Sequence, residues 1–312
     1  MKKLLLLSVI LLLLTGCSNS NKIKIGVIQF IQHEALDNAT KGFEDALKEK
    51  YGNNIEIEVK NASGDSATCS VIATSFVAEG VDLIMANATP ALQSAAHATK
   101  SIPILGTSVT EYGVALDLDN FSGIVGTNVS GTSDLAPLED QAQMIIDLCP
   151  NAKNIGLLYC SGEQNSLYQV KVVGDYLKTN GLNVKEYAFS DSNEVASVAI
   201  EACNNIDALY IPTDNTCASY GSVIKTAAEE KNIPIIAGEK DTLKVCGGLA
   251  TLSIDYYELG KTTGQMAIKV LEGEDISKMP IEYYKNPTKM FIKQTSDRLK
   301  IEIPSEYEEI GD

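Results

Sequence analysis

The sequence has few of the residues from which metal sites and many catalytic sites are built. It contains only two histidines, His33 and His97, and none of its seven cysteines has the C-x-x-C spacing of a structural zinc site. It also has no G-x-S-x-G, Walker or H-E-x-x-H motif. We therefore expect a protein that is not an enzyme and that needs neither a metal nor a cofactor.

Basic residues are scarce as well. The chain has 25 Lys and Arg residues against 41 Asp and Glu residues, which gives a formal net charge of −16 at pH 7. Such a surface repels the phosphate backbone of nucleic acids, so we expect no nucleic-acid partner. It also repels anionic lipids, so charge alone does not hold the protein at a membrane.

The longest apolar run lies at the N-terminus, where residues 4–14 follow Lys2 and Lys3. A transmembrane helix needs about 20 apolar residues. Neither the run at 4–14 nor any other stretch of the chain reaches that length. A charged start followed by a short apolar core is typical of an export signal. A short membrane anchor that is never cleaved is the alternative.

The apolar run ends in the letters L-T-G-C, which resemble a bacterial lipobox. That resemblance implies cleavage before Cys17 and lipidation of its side chain. We expect residues 1–16 to be a signal peptide and residues 17–22 to be a lipid-anchored, flexible tether. The mature protein would then lie on the outer face of the cell membrane.

Six cysteines remain in the mature chain: Cys69, Cys149, Cys160, Cys203, Cys217 and Cys246. Several of them lie inside predicted helices or strands, at positions where a small apolar residue would fit. An exported protein could also oxidise such residues to disulfides. The pattern favours mostly free, buried thiols.

Short apolar runs alternate with helical patterns along the mature chain. The first half contains predicted strands at 24–30, 55–59, 83–86 and 104–107, and predicted helices at 36–50, 68–79 and 90–99. The second half repeats this order, with strands at 154–159, 183–189, 208–211 and 235–237, and helices at 166–180, 192–204 (capped by Ser192) and 218–231. Alternation of this kind predicts parallel sheets with helices on both faces.

Short matches support two copies of one lobe, among them I-P-I at 102–104 and again at 233–235. A strand at 249–253, a helix at 256–272 and a strand at 289–292 follow the second copy. We expect an N-terminal lobe of residues 23–131 and 255–281 and a C-terminal lobe of residues 132–254 and 282–312. The lobes would hinge about segments near 130–134, 253–255 and 280–282.

In open parallel sheets, ligands bind beyond the carboxyl ends of the strands. If the lobes face each other, polar loops at these ends converge on one cleft. The candidate ligand-binding residues in the loops are Gln29, Phe30, His33, Glu34, Thr89, Ser108, Thr110, Asn165, Ser166, Thr213, Asp214, Asn215 and Glu239. Each one could instead be an ordinary helix cap, turn or core residue.

The helix starts at Thr89 and Asn165 could hold an anion through free backbone N–H groups. The carboxylates of Asp214 and Glu239 could hold an ammonium group, and Phe30 could stack on a ring. A site with one anionic and one cationic end of this kind suits an α-amino acid.

From about residue 22 to the C-terminus, the chain resembles the ABC-importer substrate-binding lipoproteins of the tryptophan and tyrosine type. The segments that carry the resemblance are I-G-V-I-Q-F at 25–30, H-E-A-L-D at 33–37, N-A-T-P-A at 87–91, G-T-S-D at 131–134, Y-I-P-T-D-N-T at 210–216, A-G-E at 237–239 and I-D-Y-Y-E-L-G at 254–260. The resemblance implies a type I periplasmic-binding fold, an aromatic amino acid as the ligand and an ABC permease as the partner. It adds Ser133 and Asp255 to the candidate site.

The sequence leaves other classes of protein to consider. A two-lobed transcription regulator would need a basic DNA-binding headpiece, and the lipobox occupies that position. A surface sensor or adhesin of the same fold, or a binding protein for another small solute such as a sugar or nucleoside, is the alternative function. In each case we expect a monomer.

Overall fold

The computed structural model describes residues 22–311, so the predicted signal peptide, Cys17 and nearly all of the tether lie outside the described residues. Within this range the chain folds into two sheets, with helices on both faces of each. The predicted fold class, an α/β protein of two similar lobes, is confirmed.

The strands are β1 (Ile23–Gln29), β2 (Ile55–Asn61), β3 (Leu83–Asn87), β4 (Ile104–Val109), β5 (Val129–Ser133), β6 (Asn154–Cys160), β7 (Asn183–Phe189), β8 (Ala208–Ile211), β9 (Ile235–Ala237), β10 (Ala250–Ser253), β11 (Glu282–Tyr283), β12 (Thr288–Ile292) and β13 (Glu308–Ile310). The first sheet has the order β2-β1-β3-β4-β5-β11, and the second has the order β7-β6-β8-β9-β10-β12-β13. The first five strands of each sheet thus follow the same order, as a repeated unit should. Pairing is parallel except between β10 and β12.

The helices are α1 (Glu34–Tyr51), α2 (Ser66–Glu79), α3 (Thr89–Ala98), α4 (Tyr112–Ala115), α5 (Leu138–Leu148), α6 (Gln164–Thr179), α7 (Val195–Cys203), α8 (Asn215–Ser219), α9 (Gly221–Lys231), α10 (Lys240–Val245), α11 (Tyr256–Leu271) and α12 (Lys293–Leu299). Short 3₁₀ turns follow α1 and α11, at Gly52–Asn54 and Ile276–Lys278. Helix α11 lies after both copies in the chain, yet it packs along α1 in the first lobe.

Each sheet separates two apolar cores. In β6, Leu157 and Tyr159 face one core while Leu158 and Cys160 face the other, because successive side chains of a strand point to opposite faces. A strand that is buried on both faces therefore reads as a continuous apolar run, and this is the signal from which the strand was predicted.

The chain passes between the sheets three times, after Ser133, after Ser253 and after Tyr283. The third crossing comes later than the predicted segment at 280–282, because Glu282 and Tyr283 pair in parallel with Thr132 and Ser133 at the edge of the first sheet. Those four residues therefore belong to the first sheet, whereas the predicted lobe limits assign them to the second lobe.

Two details of the predicted helices were wrong. The predicted helix at 218–231 begins earlier and is divided at Tyr220 into α8 and α9. Ser192 does not cap the following helix, which begins at Val195 with Glu194 as its N-cap residue. Ser192 lies in the preceding turn, where its neighbour Asp191 accepts a hydrogen bond from the backbone of Asn193.

All six described cysteines are free and buried, as predicted. Burial raises the pKa of the Cys149 thiol to about 12 and that of Cys160 to about 11. These thiols are therefore protonated at neutral pH and act as small apolar core groups.

Candidate functional site

A narrow cavity lies between the carboxyl ends of the strands of the two sheets. Its walls come from both lobes and consist of His33, Leu36, Ser108, Thr110, Asp134, Asn165, Thr213, Asp214, Asn215, Ala218, Glu239, Thr242 and Tyr256. The free space has room for about one water molecule. A larger ligand therefore needs the lobes to separate before it enters.

The structure brings eight of the predicted site residues to this cavity. They are His33, Ser108, Thr110, Asn165, Thr213, Asp214, Asn215 and Glu239. Phe30 lies instead in a wider neighbouring cleft between the lobes, together with Ile31 and Tyr220. The predicted convergence of the strand-end loops from both lobes is therefore present in the structure.

The other predicted site residues do not line the cavity. The amide of Gln29 is held by Thr40 and Asp37, and the Ser133 hydroxyl donates to the carbonyl of Thr110 at 2.8 Å. The Ser166 hydroxyl donates to Asp214 Oδ2 at 2.7 Å and so supports a wall residue from behind.

Three more predicted residues lie at the starts of helices. Glu34 is exposed in the first turn of α1, and Asp255 is an exposed N-cap whose side chain accepts from the backbone N–H of Glu258. Thr89 begins α3, and its buried hydroxyl has no hydrogen-bond partner among the described residues.

Several wall residues were not predicted, and Asp134 is the most consequential of them. It lies within the G-T-S-D segment, just beyond the end of β5, where no apolar run indicated a strand. Tyr256, Thr242, Leu36 and Ala218 were missed because they lie within helices, and only loop residues were considered.

Asp134 is a buried carboxylate with one free oxygen. Its Oδ2 accepts a hydrogen bond from the Tyr256 hydroxyl at 3.0 Å, whereas its Oδ1 is buried with no partner among the described residues. Burial raises the pKa of this carboxyl to about 6 from its ordinary value of 3.8. A buried carboxylate with one oxygen left without a donor is costly unless a cation or a further hydrogen-bond donor joins it.

The two carboxylates proposed from the sequence as ammonium acceptors are already engaged. Asp214 accepts from the backbone N–H groups of Cys160 and Cys217 and thereby caps α8. Glu239 accepts from the backbone of Asp241 and Thr242 and thereby caps α10. Burial together with the nearby charge of Glu163 raises the pKa of Asp214 to about 7.

Unpartnered polar atoms cluster around the cavity. Five of its wall residues each have a buried polar atom without a partner among the described residues: His33 Nδ1, Ser108 Oγ, Asp134 Oδ1, Asn165 Oδ1 and Thr242 Oγ1. Buried polar groups in folded proteins are nearly always hydrogen-bonded, so a concentration of exceptions marks a surface made for a polar ligand.

The backbone is also unusual at two strand ends beside the cavity. Ala88, after β3, has φ = 89°, and Ser108, near the end of β4, has φ = 53°. Residues other than glycine seldom adopt positive φ because of the steric cost at Cβ. Strain of this kind gathers at ligand sites, where surrounding structure holds it in place.

Direct hydrogen bonds join the two lobes across the cavity. His33 Nε2 lies 3.1 Å from Asn215 Oδ1, and the Ser219 hydroxyl donates to the carbonyl of Gln32 at 3.3 Å. The lobes are therefore closed on each other.

Among residues 22–311, no group of three or more His, Cys, Asp or Glu side chains is arranged to hold a metal ion. No described helix combines the length and apolarity that crossing a membrane requires.

Two repeated α/β lobes, three crossings and a polar cavity between strand ends define a two-lobed solute-binding protein of the type I periplasmic-binding fold. The sequence model for ABC transporter substrate-binding proteins matches residues 24–309. The chain belongs to that family, whose members bind solutes outside the cytoplasm.

Relatives with a described ligand support the same assignment. A tyrosine-binding protein from Clostridioides difficile is 40% identical over 290 residues, which cover 86% of this chain and 83% of the relative. A Streptococcus pneumoniae ABC domain solved in complex with L-Trp is 35% identical with a TM-score of 0.87, over 91% of this chain and 96% of that one.

A third relative was solved in an open form. The ligand-free, open structure of a substrate-binding protein with adhesive properties from Clostridium difficile is 38% identical, over 92% of this chain and 99% of that one, yet its TM-score is only 0.69. Sequence identity is similar for the two structures, so it does not explain the difference in TM-score. This chain superposes better on the ligand-bound relative than on the open one.

Proposed function

We propose that the protein captures a free aromatic amino acid between its lobes and presents it to the permease of an ABC importer. The observation that carries the proposal is the free, buried oxygen of Asp134 in a cavity whose described walls contain no Lys or Arg. An ammonium group satisfies such a carboxylate with a charge-assisted hydrogen bond. Similarity to a tyrosine-binding protein and to an L-Trp complex supports an aromatic side chain.

The α-carboxylate of the ligand would bind on the first-lobe side of the cavity. With no Lys or Arg in the described walls, hydroxyl and backbone N–H groups are its proposed partners. Ser108, near the end of β4, lines the cavity with an unpartnered hydroxyl. The start of α3, at the neighbouring end of β3, offers free backbone N–H groups and the Thr89 hydroxyl, which the lobes would have to expose on opening.

Ligand capture would couple to lobe closure. The two lobes, with Thr132, Ser133, Glu282 and Tyr283 counted in the first, would move about the three crossings and carry the two halves of the site apart. Ligand favours the closed state because only that state offers both halves together.

The protein would act as a lipid-anchored monomer on the outer face of the cell membrane, with Cys17 as the lipidated residue. The export pattern of residues 2–17 supports this location. Cell fractionation tests it: the unaltered protein should stay with the membrane, and a Cys17→Ser variant should not. Membrane retention of that variant would contradict the anchor.

Isothermal titration calorimetry of the chain from residue 22 onward tests the proposed ligand class. We expect binding of one or more of tyrosine, tryptophan and phenylalanine, and no binding of a panel of sugars and nucleosides. Asp134→Asn should weaken binding about 10- to 150-fold, the loss expected for a buried hydrogen bond to a charged group. Asp255→Asn is the matched control, because its exposed carboxylate only caps α11.

Binding of a sugar or nucleoside in place of the amino acids would contradict the proposed ligand. Equal losses in Asp134→Asn and Asp255→Asn would remove Asp134 from the ammonium site.

Adhesion at the cell surface is a second candidate role, and the relative with adhesive properties favours it. The two roles need not share a surface. An adhesion assay on Asp134→Asn separates them, since adhesion through the outer surface should survive the loss of ligand binding.

A further inference from the structure

A chain of hydrogen bonds fixes which nitrogen of His33 carries the proton. This series of hydrogen bonds starts at Glu163, whose carboxylate accepts from the backbone N–H groups of Asn215 and Thr216 at 3.0 and 2.9 Å. It also accepts from the Thr216 hydroxyl at 2.8 Å. Glu163 therefore acts as an acceptor towards every donor around it.

The orientation of the Asn215 amide follows from that carboxylate. Asn215 Nδ2 donates to Glu163 Oε2 at 2.6 Å, and the reversed amide would place two acceptor oxygens against each other. Asn215 Oδ1 is therefore the atom that faces His33 Nε2 at 3.1 Å. Because Oδ1 can only accept, Nε2 must carry the hydrogen.

His33 is neutral in this setting. Burial is the largest influence on its pKa and lowers it, and it outweighs the Asn215 hydrogen bond and the charges of Glu163, Asp241 and Asp37, which raise it. A neutral imidazole with its proton on Nε2 has a bare lone pair on Nδ1. That Nδ1 is buried in the cavity wall and has no partner among the described residues.

Three acceptors in the cavity wall lack a partner: Asp134 Oδ1, His33 Nδ1 and Asn165 Oδ1, the last on the side chain whose Nδ2 donates to Glu163 and to the carbonyl of Thr213. The carboxylate of Asp134 suits the ligand's ammonium group, whereas a neutral nitrogen is better matched to a neutral donor. Leu36, Ala218 and Tyr256 line the same cavity and offer apolar and aromatic surface for a ring.

We propose that His33 Nδ1 accepts a hydrogen bond from the side chain of the ligand, so that the site selects aromatic rings that carry a donor, a phenol hydroxyl or an indole N–H, over phenylalanine. The inference rests on the proposed capture of an aromatic amino acid and adds a selectivity residue to it. Without the donor, a ligand leaves Nδ1 buried and unpaired, which carries the full desolvation penalty.

Two substitutions separate the roles of the two nitrogens. The side-chain amide of asparagine can place an acceptor near the position of Nδ1, while that of glutamine reaches the position of Nε2. His33→Asn should therefore keep the contact to the ligand, and His33→Gln should keep only the contact to Asn215. Affinities of both variants and the unaltered protein are measured by calorimetry for tyrosine, O-methyltyrosine, tryptophan and phenylalanine.

The unaltered protein should bind tyrosine or tryptophan about ten- to a hundredfold more tightly than phenylalanine. This preference should survive in His33→Asn and fall to about threefold or less in His33→Gln, while phenylalanine affinity changes little. If tyrosine is the preferred ligand, O-methyltyrosine should bind like phenylalanine or more weakly.

Equal affinity for phenylalanine and the donor-bearing amino acids in the unaltered protein would overturn the inference and leave the proposed function intact. Full preference retained in His33→Gln would overturn it as well. Failure of the unaltered protein to bind any of the four amino acids would overturn the proposed function and the inference together.

Discussion

At the scale of the residue, the site depends on a few buried polar groups that have no partner in the protein. The loops that carry most of them could be predicted from the sequence, because parallel strands end at a common edge. The sequence could not predict which of these loop side chains lack a hydrogen-bond partner. Asp214 and Asp134 are both buried acids in loops. Only the hydrogen bonds in the structure show that Asp214 caps a helix, whereas Asp134 has one carboxylate oxygen without a partner among the described residues.

Asp134 should cost the unliganded protein stability at neutral pH. Its pKa is about 6 when folded and 3.8 ordinarily, so between these values the folded state holds a proton that the unfolded state has lost. Stability contributed by this group therefore falls as pH rises through that range, by about 3 kcal/mol in total. Asp134→Asn should be more stable than the unaltered protein at pH 7, as measured by urea unfolding without ligand.

The difference in stability between Asp134→Asn and the unaltered protein should shrink as the pH is lowered towards 4. At that pH the folded unaltered protein is protonated at Asp134, so both proteins are neutral at this position. A variant that is less stable than the unaltered protein at pH 7 would show that the carboxylate is already satisfied by the protein.

Ligand affinity should fall below about pH 6. In the unliganded site Asp134 becomes protonated there, and the proton must leave before an ammonium group can bind. One such proton predicts about a tenfold loss of affinity for each further pH unit. Calorimetric titrations at several pH values check this, and the slope should be smaller in Asp134→Asn, where only the remaining acids such as Asp214 and Asp241 titrate. An identical slope in that variant would place the titrating group elsewhere.

At the scale of the element, the repeated strands and helices followed the sequence closely, whereas the region between the two copies did not. Strand β5 has the sequence V-S-G-T-S, which contains a single large apolar residue and therefore no strand pattern. Its burial comes from tertiary hydrogen bonds, such as that of Thr132 Oγ1 with Thr263 Oγ1 at 2.8 Å. Helix α5 was also missed, although its buried residues Leu138, Ala142 and Ile145 have helical spacing.

Two glycines allow helices α1 and α11 to pack closely against each other. Helices α1 and α11 cross where a Cβ on Gly42 would collide with the carbonyl of Tyr257, and one on Gly260 with the carbonyl of Ala39. The contact places the start of α11, and with it Tyr256, at the cavity.

Gly260→Ala should destabilise the protein by about 1–3 kcal/mol, because the backbones must move apart to admit the methyl group. The loss is notable because alanine is otherwise the better helix former. Gln265→Ala on the exposed side of the same helix is the control and should be neutral or slightly stabilising. Urea unfolding measures both variants, and equal stabilities would contradict the close packing of the two helices.

At the scale of the whole molecule, the proposed function depends on movement of the two lobes about the three short crossings. The closed arrangement resembles the L-Trp complex more than the open, ligand-free relative. The closed arrangement leaves room for only about one water, so an aromatic amino acid must enter an open form, and the lobes must then enclose it at a wider spacing than they have here.

Small-angle X-ray scattering should therefore show a smaller radius of gyration with saturating amino acid than without it. The change should be absent in Asp134→Asn at the same ligand concentration if that concentration is well below the variant's dissociation constant. A radius that does not respond to ligand in the unaltered protein would mean that the lobes are closed before binding.

Asp134 is proposed to hold the ammonium group of an aromatic amino acid, and a comparison of two ligands tests this role. L-tyrosine and 3-(4-hydroxyphenyl)propanoate differ only in the α-amino group, so calorimetry of both against the unaltered protein isolates its contribution. We expect the propanoate to bind at least about tenfold more weakly, and Asp134→Asn to remove most of the difference. Equal affinity of the unaltered protein for the two compounds would contradict this role.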